Sequence, residues 1–268
     1  MKLYDLDVAP YIGITDFMTR EQTLEMLDFY QKLTNGKIPH KLMIGVMMSY
    51  KTLHKQETKW TNAFPRSADV MTIFADHPLA FNTLHYADYT NTDVFNSLAQ
   101  AIFYGGVLID ALQLDMVWPE PSDVFNAVHA SRKSIAVILQ VGKNALAEAK
   151  DSPEEVIERL KDYLDVIDGV LLDKSMGKGK TMDTNVLLPF VEAIYEKLPQ
   201  LRVAVAGGLG PFTMPVAEPI ISRYNNVSID AQGRLRPSGN ALDPIDWDLA
   251  RKYLNEAVKL YMKYHQIS

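Results

Sequence analysis

Short apolar runs alternate with longer amphipathic segments along most of the chain. The runs, rich in aliphatic and β-branched residues, lie at 10–15, 41–49, 79–87, 106–115, 134–141, 168–173, 201–208 and 226–230. The segments between and after them place apolar residues at helical spacing, at 19–34, 64–76, 92–104, 121–131, 153–166, 184–197, 214–224 and 246–264. Short runs of this kind are typical of strands, and apolar residues three and four positions apart are typical of helices. The pattern therefore predicts eight strand-then-helix units.

Two of the predicted helices carry sequence signals at their first residues. In DSPEEVIERL, Ser152 is a candidate N-cap, Pro153 occupies the first helical position and Glu155 lies three residues after the cap. In DPIDWDLARKYL, Asp246 precedes an apolar-periodic run. Such residues suit the first helical turn and its unpaired N–H groups, so they predict helix starts at both places.

The apolar runs also indicate how the strands pair. Runs such as SIAVILQV, at 134–141, are apolar throughout, as expected for parallel strands that are buried on both faces. Eight such units predict a single-domain (β/α)₈ TIM barrel that spans residues 1–268. The alternative, a doubly wound open sheet, more often has about five to seven strands and a glycine fingerprint after the first strand. The segment YIGITDF has no such fingerprint. In the barrel, the non-periodic segment 50–66 is expected to be a long loop over the mouth.

Composition and charge narrow the classes of function. The 268 residues are 47% hydrophobic and 22% charged, which allows a large core. A net charge of −6 without a basic block gives no footprint for nucleic acid or an anionic membrane. The chain has no cysteine, which excludes disulfides, thiolate nucleophiles and cysteine metal ligands. With no signal-like start and no apolar run of about 18 residues, we expect a soluble, cytoplasmic protein without nucleic-acid or membrane partners.

In a TIM barrel, the active site is built from the carboxyl ends of the strands and the loops that follow them. Polar and glycine residues at those predicted ends are therefore the first candidates for a site. They are Thr15, Asp16, Ser49, Lys51, His85, Asp88, Gln113, Asp115, Gln140, Lys143, Asp173, Lys174, Gly207, Gly208, Asp230 and Gln232.

Several of these ends lie in segments that resemble one family. The first predicted strand, PYIGITDF, is similar to the KICGIT strand of phosphoribosylanthranilate isomerases, and LQLD is similar in part to their QLHG segment. LLDKSMGKGKTMDT is similar to LLDS followed by GTGKTFDW, VAVAGGLG to their AGGL strand end, and VSIDAQGRL to VDVSSGVE. The segments occur in the family's order from about residue 11 to the final helix, although the second and third strands show no clear match.

The resemblance implies a ribulose-phosphate-binding barrel that acts on a small phosphorylated sugar derivative. The family reaction is an Amadori rearrangement, in which a general acid opens the sugar ring and a general base removes a proton from C2. The acid corresponds to Asp173 here. The glycine-rich loop that covers the family's active site corresponds to the segment with Gly177, Gly179 and Lys180. That segment lacks the first glycine of a nucleotide-binding P-loop, because Ser175 stands in its place.

The resemblance places the phosphate in the loops after strands seven and eight. The candidate ligands are Gly207, Gly208, Gly233 and Arg234, with Arg236 as a further cation. Glycines let backbone approach an anion, and a helix from Thr213 would present N–H groups and a favourable dipole. Barrels often bind phosphate at this place.

Three positions depart from the family pattern and indicate altered chemistry. The catalytic cysteine corresponds to Ile12, the QLHG histidine to Asp115, and a later lysine to Leu242. Isoleucine cannot accept a proton, so we expect weak or absent phosphoribosylanthranilate isomerase activity. Candidate replacement bases, in addition to Asp115, are His85, Asp88 and Asp16.

Other interpretations stay open at this stage. The barrel could be a non-catalytic binder of a metabolite or protein, since functional groups of the family are missing. Lys143 or Lys174 could form a Schiff base if its pKa were depressed. Asp16, His85, Asp88, Asp110 and Asp115 could converge on a divalent cation, although the six histidines show no zinc-site spacing. The leading expectation is a small phosphorylated metabolite as ligand, with no cofactor and no metal; a homodimer is left open.

Overall fold

Eight parallel strands close into a barrel in the computed structural model, which describes residues 8–173 and 182–265. The strands are β1 (Tyr11–Thr15), β2 (Lys41–Ser49), β3 (Ala80–Asp88), β4 (Ala111–Met116), β5 (Ala136–Gly142), β6 (Gly169–Asp173), β7 (Arg202–Ala206) and β8 (Ser228–Ala231). Each strand pairs with its neighbours in sequence order, and β8 pairs with β1. The predicted single-domain (β/α)₈ TIM barrel is confirmed.

Helices follow the strands around the outside of the barrel. The α-helices are α1 (Arg20–Thr34), α2 (Tyr50–Leu53), α3 (Val70–Ile73), α4 (Val94–Gly105), α5 (Pro121–Ser131), α6 (Lys143–Glu148), α7 (Pro153–Lys161), α8 (Thr184–Lys197), α9 (Glu218–Ile221) and α10 (Trp247–His265). Short 3₁₀ helices lie at Ser67–Asp69, Met214–Ala217 and Gly233–Leu235. Within the described residues, no helix is both long enough and apolar enough to span a membrane.

The two predicted helix starts are confirmed by their hydrogen bonds. The hydroxyl of Ser152 accepts from the backbone N–H of Glu155 at 3.3 Å, and Pro153 is the first residue of α7. The Oδ1 atom of Asp246 accepts from the N–H groups of Asp248 and Leu249 at 2.9 and 3.0 Å. Both side chains satisfy donors that the helix itself leaves free.

Two predicted helices are wrong in length, and long-range or proline effects explain both. At 64–76, only Ser67–Asp69 and the single turn of α3 form, because Asn82 binds the backbone N–H and C=O of Ala75 at 3.3 and 2.9 Å and holds it out of the helix. At 214–224, a 3₁₀ turn and the single turn of α9 form instead of one helix. Pro215 and Pro219 lack the N–H donors that a continuous helix needs.

The remaining differences lie at element ends. The predicted strand 106–115 begins only at Ala111, and the predicted helix 153–166 ends at Lys161. The segment 50–66 is a loop over the barrel mouth, as expected, except for the single turn of α2. Helix α6 was not predicted.

The barrel wall separates two apolar layers. Outward side chains, among them Ile12 and Ile14 of β1, pack with the helices in a large outer core. Inward side chains, among them Tyr11, Phe81 and Leu171, form a smaller core inside the barrel. Because side chains alternate across a strand, the inward positions of β1 are Tyr11, Gly13 and Thr15. The inner core fills the amino-terminal end and leaves the carboxyl end to polar groups.

Candidate active site

A cavity of about 640 Å³ opens at the carboxyl ends of the strands. Its inner wall includes inward side chains of six strands: Thr15, His85, Asp115, Gln140, Asp173 and Asp230. The loop after α2 covers one side with Lys59, Trp60 and Phe64, whose two aromatic rings stack at 5.3 Å between centroids. A cavity of this size suits a small metabolite, and this end of the barrel is where such folds bind substrates.

Asp230 is a buried acid of the cavity wall, and it has room because the neighbouring residue of β1 is a glycine. A Cβ atom on Gly13 would lie 2.8 Å from Oδ1 of Asp230, so glycine at this position of β1 makes room for the carboxyl group. The hydroxyl of Thr15 donates to the two carboxyl oxygens at 3.1 and 3.0 Å. Burial raises the pKa of Asp230 to about 7, and the charges of Asp173 and Asp16 add to the rise. The charge of His85 and the Thr15 hydrogen bond oppose it.

Acidic and small residues alternate along one row of register-paired residues that crosses β5 to β8. Asp173 on β6 pairs with Gly142 on one side and with Ala206 on the other, and Ala206 pairs with Asp230. Both acids are buried, at 8% and 6% exposure, yet both line the cavity. The two carboxyl groups therefore flank the space above Ala206.

His85 connects the inner end of the cavity to a second acidic group. Nε2 of Gln113 lies 2.8 Å from Nδ1 of His85, and Nε2 of His85 lies 3.8 Å from Oδ2 of Asp115. Tyr89, whose ring is mostly exposed, donates its hydroxyl hydrogen bond to the same Oδ2. Burial lowers the pKa of His85, but Asp115 and the charges of Asp230 and Asp16 outweigh burial and hold the pKa above its ordinary value. The acids around His85 therefore favour its protonated form.

A buried ion pair fastens the loop after β8 to the end of β1. Arg236 donates from Nη2 to Oδ2 of Asp16, which also accepts from Nε2 of Gln232 at 3.0 Å. Other nitrogens of Arg236 donate to the carbonyl oxygens of Gln232 and Asp243 at 2.8 and 2.5 Å. Burial raises the pKa of Asp16, while Arg236 and Gln232 oppose the rise. Asp16 has a φ of 93°, a strained value for a residue with a side chain.

The predicted phosphate turn lies at the edge of the cavity with unused donors. Gly207 and Gly208 have φ values of 124° and 61°, which favour glycine, and both line the cavity together with Gly233. The carbonyl oxygens of Gly207 and Gly208 accept from the Met182 N–H and the Thr213 hydroxyl at 2.8 and 2.7 Å. Between described residues, no hydrogen bond uses the N–H groups of these three glycines. These donors are free to bind an anion.

The structure does not place Arg234, Arg236 or the helix predicted from Thr213 where they would bind a phosphate at the glycine turn. Arg234 is exposed, with its Cβ against Gly210, and does not line the cavity. Arg236 is committed to Asp16 and to backbone carbonyl groups. The predicted helix from Thr213 is a short 3₁₀ turn interrupted by proline, so its dipole contributes little there. Of the predicted phosphate-binding groups, only the N–H groups of the three glycines remain as candidates.

The other predicted site residues divide between the cavity and its surroundings. Asp88 ends β3 and reaches the cavity edge, but its Oδ1 accepts from the N–H and hydroxyl of Thr90, both at 2.7 Å. Lys143 is exposed at the rim. Gly177, Gly179 and Lys180, like Lys174, lie outside the described residues.

Of the three positions that depart from the family pattern, Asp115 lines the cavity, whereas positions 12 and 242 do not. Ile12 is buried in the outer core, and Leu242 lies on the surface at 39% exposure. The inward neighbour of Ile12 is Gly13, which carries no side chain. The side chain of residue 12 therefore does not reach the cavity, and Thr15 is the residue of β1 that lines it.

The alternative interpretation of a cation site gains nothing from the described residues. In 8–173 and 182–265, no three histidine or acidic side chains are arranged to hold a metal ion. Asp110 lies at the opposite end of the barrel, where its Oδ2 accepts from the Asn82 N–H at 2.7 Å.

Asp230 and Gln140 are prominent in the cavity although the family pattern gave them no role. Both belong to the polar strand-end residues of the sequence. The alternation of side chains along a strand could have identified them. Asp230 lies two residues after the inward residue Ser228, and Gln140 lies two residues after the inward residue Ile138.

Comparisons with known proteins give a limited sequence similarity. No protein-family model matches it. A segment of 73 residues, 27% of the chain, is 38% identical to ribulose-phosphate 3-epimerase of Eremothecium gossypii, of which it spans 30%. The chain is thus similar to less than a third of this relative, and the relation to phosphoribosylanthranilate isomerases stays a prediction.

The chain also shows a limited likeness to two solved structures. Phosphonopyruvate hydrolase is 14% identical, with 84% of this chain and 76% of that chain covered and a TM-score of 0.49. The tryptophan synthase alpha chain of Legionella pneumophila subsp. pneumophila is 11% identical, with 94% and 92% covered and a TM-score of 0.49.

Proposed function

We propose that this barrel binds a small phosphorylated sugar and moves a proton at a carbon next to its carbonyl group. The observation that carries the proposal is the placement of Asp173 and Asp230 on either side of Ala206. Two acids that flank one small residue leave room for a substrate carbon between them. Such a pair can take a proton from one side and return it from the other.

The proposed reaction balances without a co-reactant. One carboxylate takes the proton from the carbon, the C–H electron pair forms a C=C bond, and the carbonyl electron pair moves to oxygen. His85 donates a hydrogen bond that stabilises the charge on this oxygen. The other acid then returns a proton to the same carbon, the C=O bond re-forms and the carbon is epimerised. Alternatively, the proton goes to the former carbonyl carbon, while the hydroxyl on the first carbon gives its proton to the enolate oxygen and becomes the new carbonyl group, which isomerises the sugar. A pKa of about 7 for Asp230 suits this work, because the group gives and takes protons readily at neutral pH.

The glycine turn supplies the other end of the proposed site. Free N–H groups at Gly207, Gly208 and Gly233 are suited to a phosphate, as in many barrels. The sequence match to a ribulose-phosphate 3-epimerase supports a sugar phosphate as the class of ligand. The family reaction of phosphoribosylanthranilate isomerases is a less suitable proposal, because β1 offers Gly13 and no base.

Turnover of ribulose 5-phosphate, followed by NMR of the products, tests the proposal. We expect Asp173→Asn to abolish turnover while phosphate still raises the melting temperature as in the parent. Asp28→Asn, which removes an exposed carboxylate far from the cavity, is the control and should leave turnover unchanged. Turnover retained by Asp173→Asn would remove Asp173 from the mechanism. A parent protein that binds phosphorylated sugars without converting any of them would favour the non-catalytic binder instead.

A further inference from the structure

Gln140 carries a buried amide that has no hydrogen-bond partner among the described residues. It lies on β5, two residues after Ile138 of the inner core, and its side chain lines the cavity at 7% exposure. Its Oε1 atom is fully buried and accepts no hydrogen bond. Among the described residues, no group accepts a hydrogen bond from Nε2 either. A buried polar group without a partner destabilises a fold, so its retention needs an explanation.

The surroundings of Gln140 show where such a partner would lie. Asp115 follows the Leu114–Leu139 pair of β4 and β5, which sets it beside Gln140. On the other side, Gln140 pairs with Leu171, and the next inward pair of these strands is Gly142 with Asp173. Nε2 lies 3.8 Å from where a Cβ of Gly142 would be, so no side chain separates the amide from Asp173 there. The amide therefore borders the space in front of the proposed acids.

We propose that Gln140 is a specificity-determining residue that binds a hydroxyl group of the sugar, donating to it through Nε2, the end of the amide that reaches the cavity. This inference rests on the proposed function, since it assumes a sugar in the cavity. An amide N–H group matches a sugar hydroxyl because it is a donor and the hydroxyl oxygen can accept. The acids beside it would repel an anion, so the phosphate stays at the glycine turn.

If Gln140 stabilised the fold, its replacement would lower the melting temperature, whereas a role in ligand binding predicts no such loss. Gln140→Met keeps the shape of the side chain and removes only its polar atoms. Because no partner is lost, we expect an unchanged or raised melting temperature without ligand. The matched control is Asn82→Leu, which removes a buried amide whose hydrogen bonds are satisfied at 2.9 to 3.3 Å by Ala75 and Leu108. That control should lower the melting temperature clearly.

Calorimetric binding of two probes, inorganic phosphate and ribulose 5-phosphate, completes the test. We expect the parent to bind ribulose 5-phosphate more tightly than phosphate. Gln140→Met should leave phosphate binding unchanged and weaken ribulose 5-phosphate binding about threefold to tenfold, as the loss of one hydrogen bond would. Gln140→Leu serves as a second variant if the first does not fold.

Three results would overturn the inference. The first is parent-like binding of both probes by Gln140→Met, and the second is a loss of melting temperature like that of the Asn82 control. The third is a parent protein that binds ribulose 5-phosphate no more tightly than phosphate. A failure of the proposed function looks different, because the parent would then bind neither probe, and that result overturns both proposals.

Discussion

The hydroxyl of Thr15, at the end of β1, donates to both carboxyl oxygens of Asp230 on β8, at 3.1 and 3.0 Å. The contact joins residues 215 positions apart, across the seam that closes the barrel. It favours the ionised carboxylate against a burial that favours the neutral form. The balance between these two effects sets the pH at which Asp230 can act as a base.

Thr15→Val tests this balance through the pH profile of activity. Valine has the shape of threonine but donates no hydrogen bond, so the pKa of Asp230 should rise above about 7. We expect the acidic limb of kcat/KM to move to higher pH, with a roughly threefold to tenfold loss at pH 6 and little loss at pH 9. An acidic limb that stays in place would mean that a group other than Asp230 sets it.

Asp230→Asn should stabilise the fold, but only at neutral and basic pH. Burial raises the pKa of Asp230 from 3.8 to about 7, so its stabilising contribution is complete below pH 3.8 and is lost as pH rises through 7. Asparagine cannot ionise and avoids that loss. We expect the melting temperature of the variant to exceed that of the parent at pH 8, with a smaller difference at pH 4.5. A gap that does not grow with pH would show that Asp230 ionises normally in the fold.

Gly208→Val should remove the response of the protein to phosphate. A valine side chain would obstruct the turn, and its φ of 61° is strained for any residue but glycine. Gly36→Val is a matched control, because Gly36 has a φ of 71° with open space around it, at the other end of the barrel. Phosphate at about ten times its Kd should stabilise the parent and the control by roughly 1.4 kcal/mol, a few degrees in Tm. A folded Gly208→Val that responds like the parent would place the anion elsewhere.

Complementation of a tryptophan auxotroph that lacks phosphoribosylanthranilate isomerase should fail at ordinary expression. The reaction needs a base that takes a proton from C2, and general-base catalysis typically contributes about 10²- to 10⁴-fold. The inward residue of β1 beside Thr15 is Gly13, so that base is missing from this strand. Growth of the auxotroph would show that another group, such as Asp230, takes its place.

The barrel could be predicted from the sequence because its elements are set by local patterns. The predicted bounds of β2, α5 and α8 match the structure at both ends, since apolar runs and amphipathic spacing mark them. The pattern failed where a side chain outside the segment binds its backbone, as Asn82 binds Ala75. It also failed at Pro215 and Pro219, where a missing donor divides an otherwise helical segment.

The candidate site was less accessible to sequence reasoning because its relationships are between strands. Similarity of short segments drew attention to Ile12, yet the direction of each β1 side chain depends on the register of the whole barrel. The pairing of Thr15 with Asp230 and the pairing of Arg236 with Asp16 join the two ends of the chain. The absence of a described partner for Gln140 is a property of packing, which no local pattern indicates.

Hydrogen exchange in D₂O tests the central claim most directly, because epimerisation and isomerisation share the proton-removal step. The parent protein is incubated with ribulose 5-phosphate, and NMR follows the loss of the proton on the carbon next to the carbonyl group. We predict rapid deuterium incorporation by the parent and none above background by Asp173→Asn or Asp230→Asn, each still stabilised by phosphate. Exchange that persists in a folded Asp173→Asn/Asp230→Asn double variant, or no exchange by a parent saturated with ribulose 5-phosphate, would contradict the account.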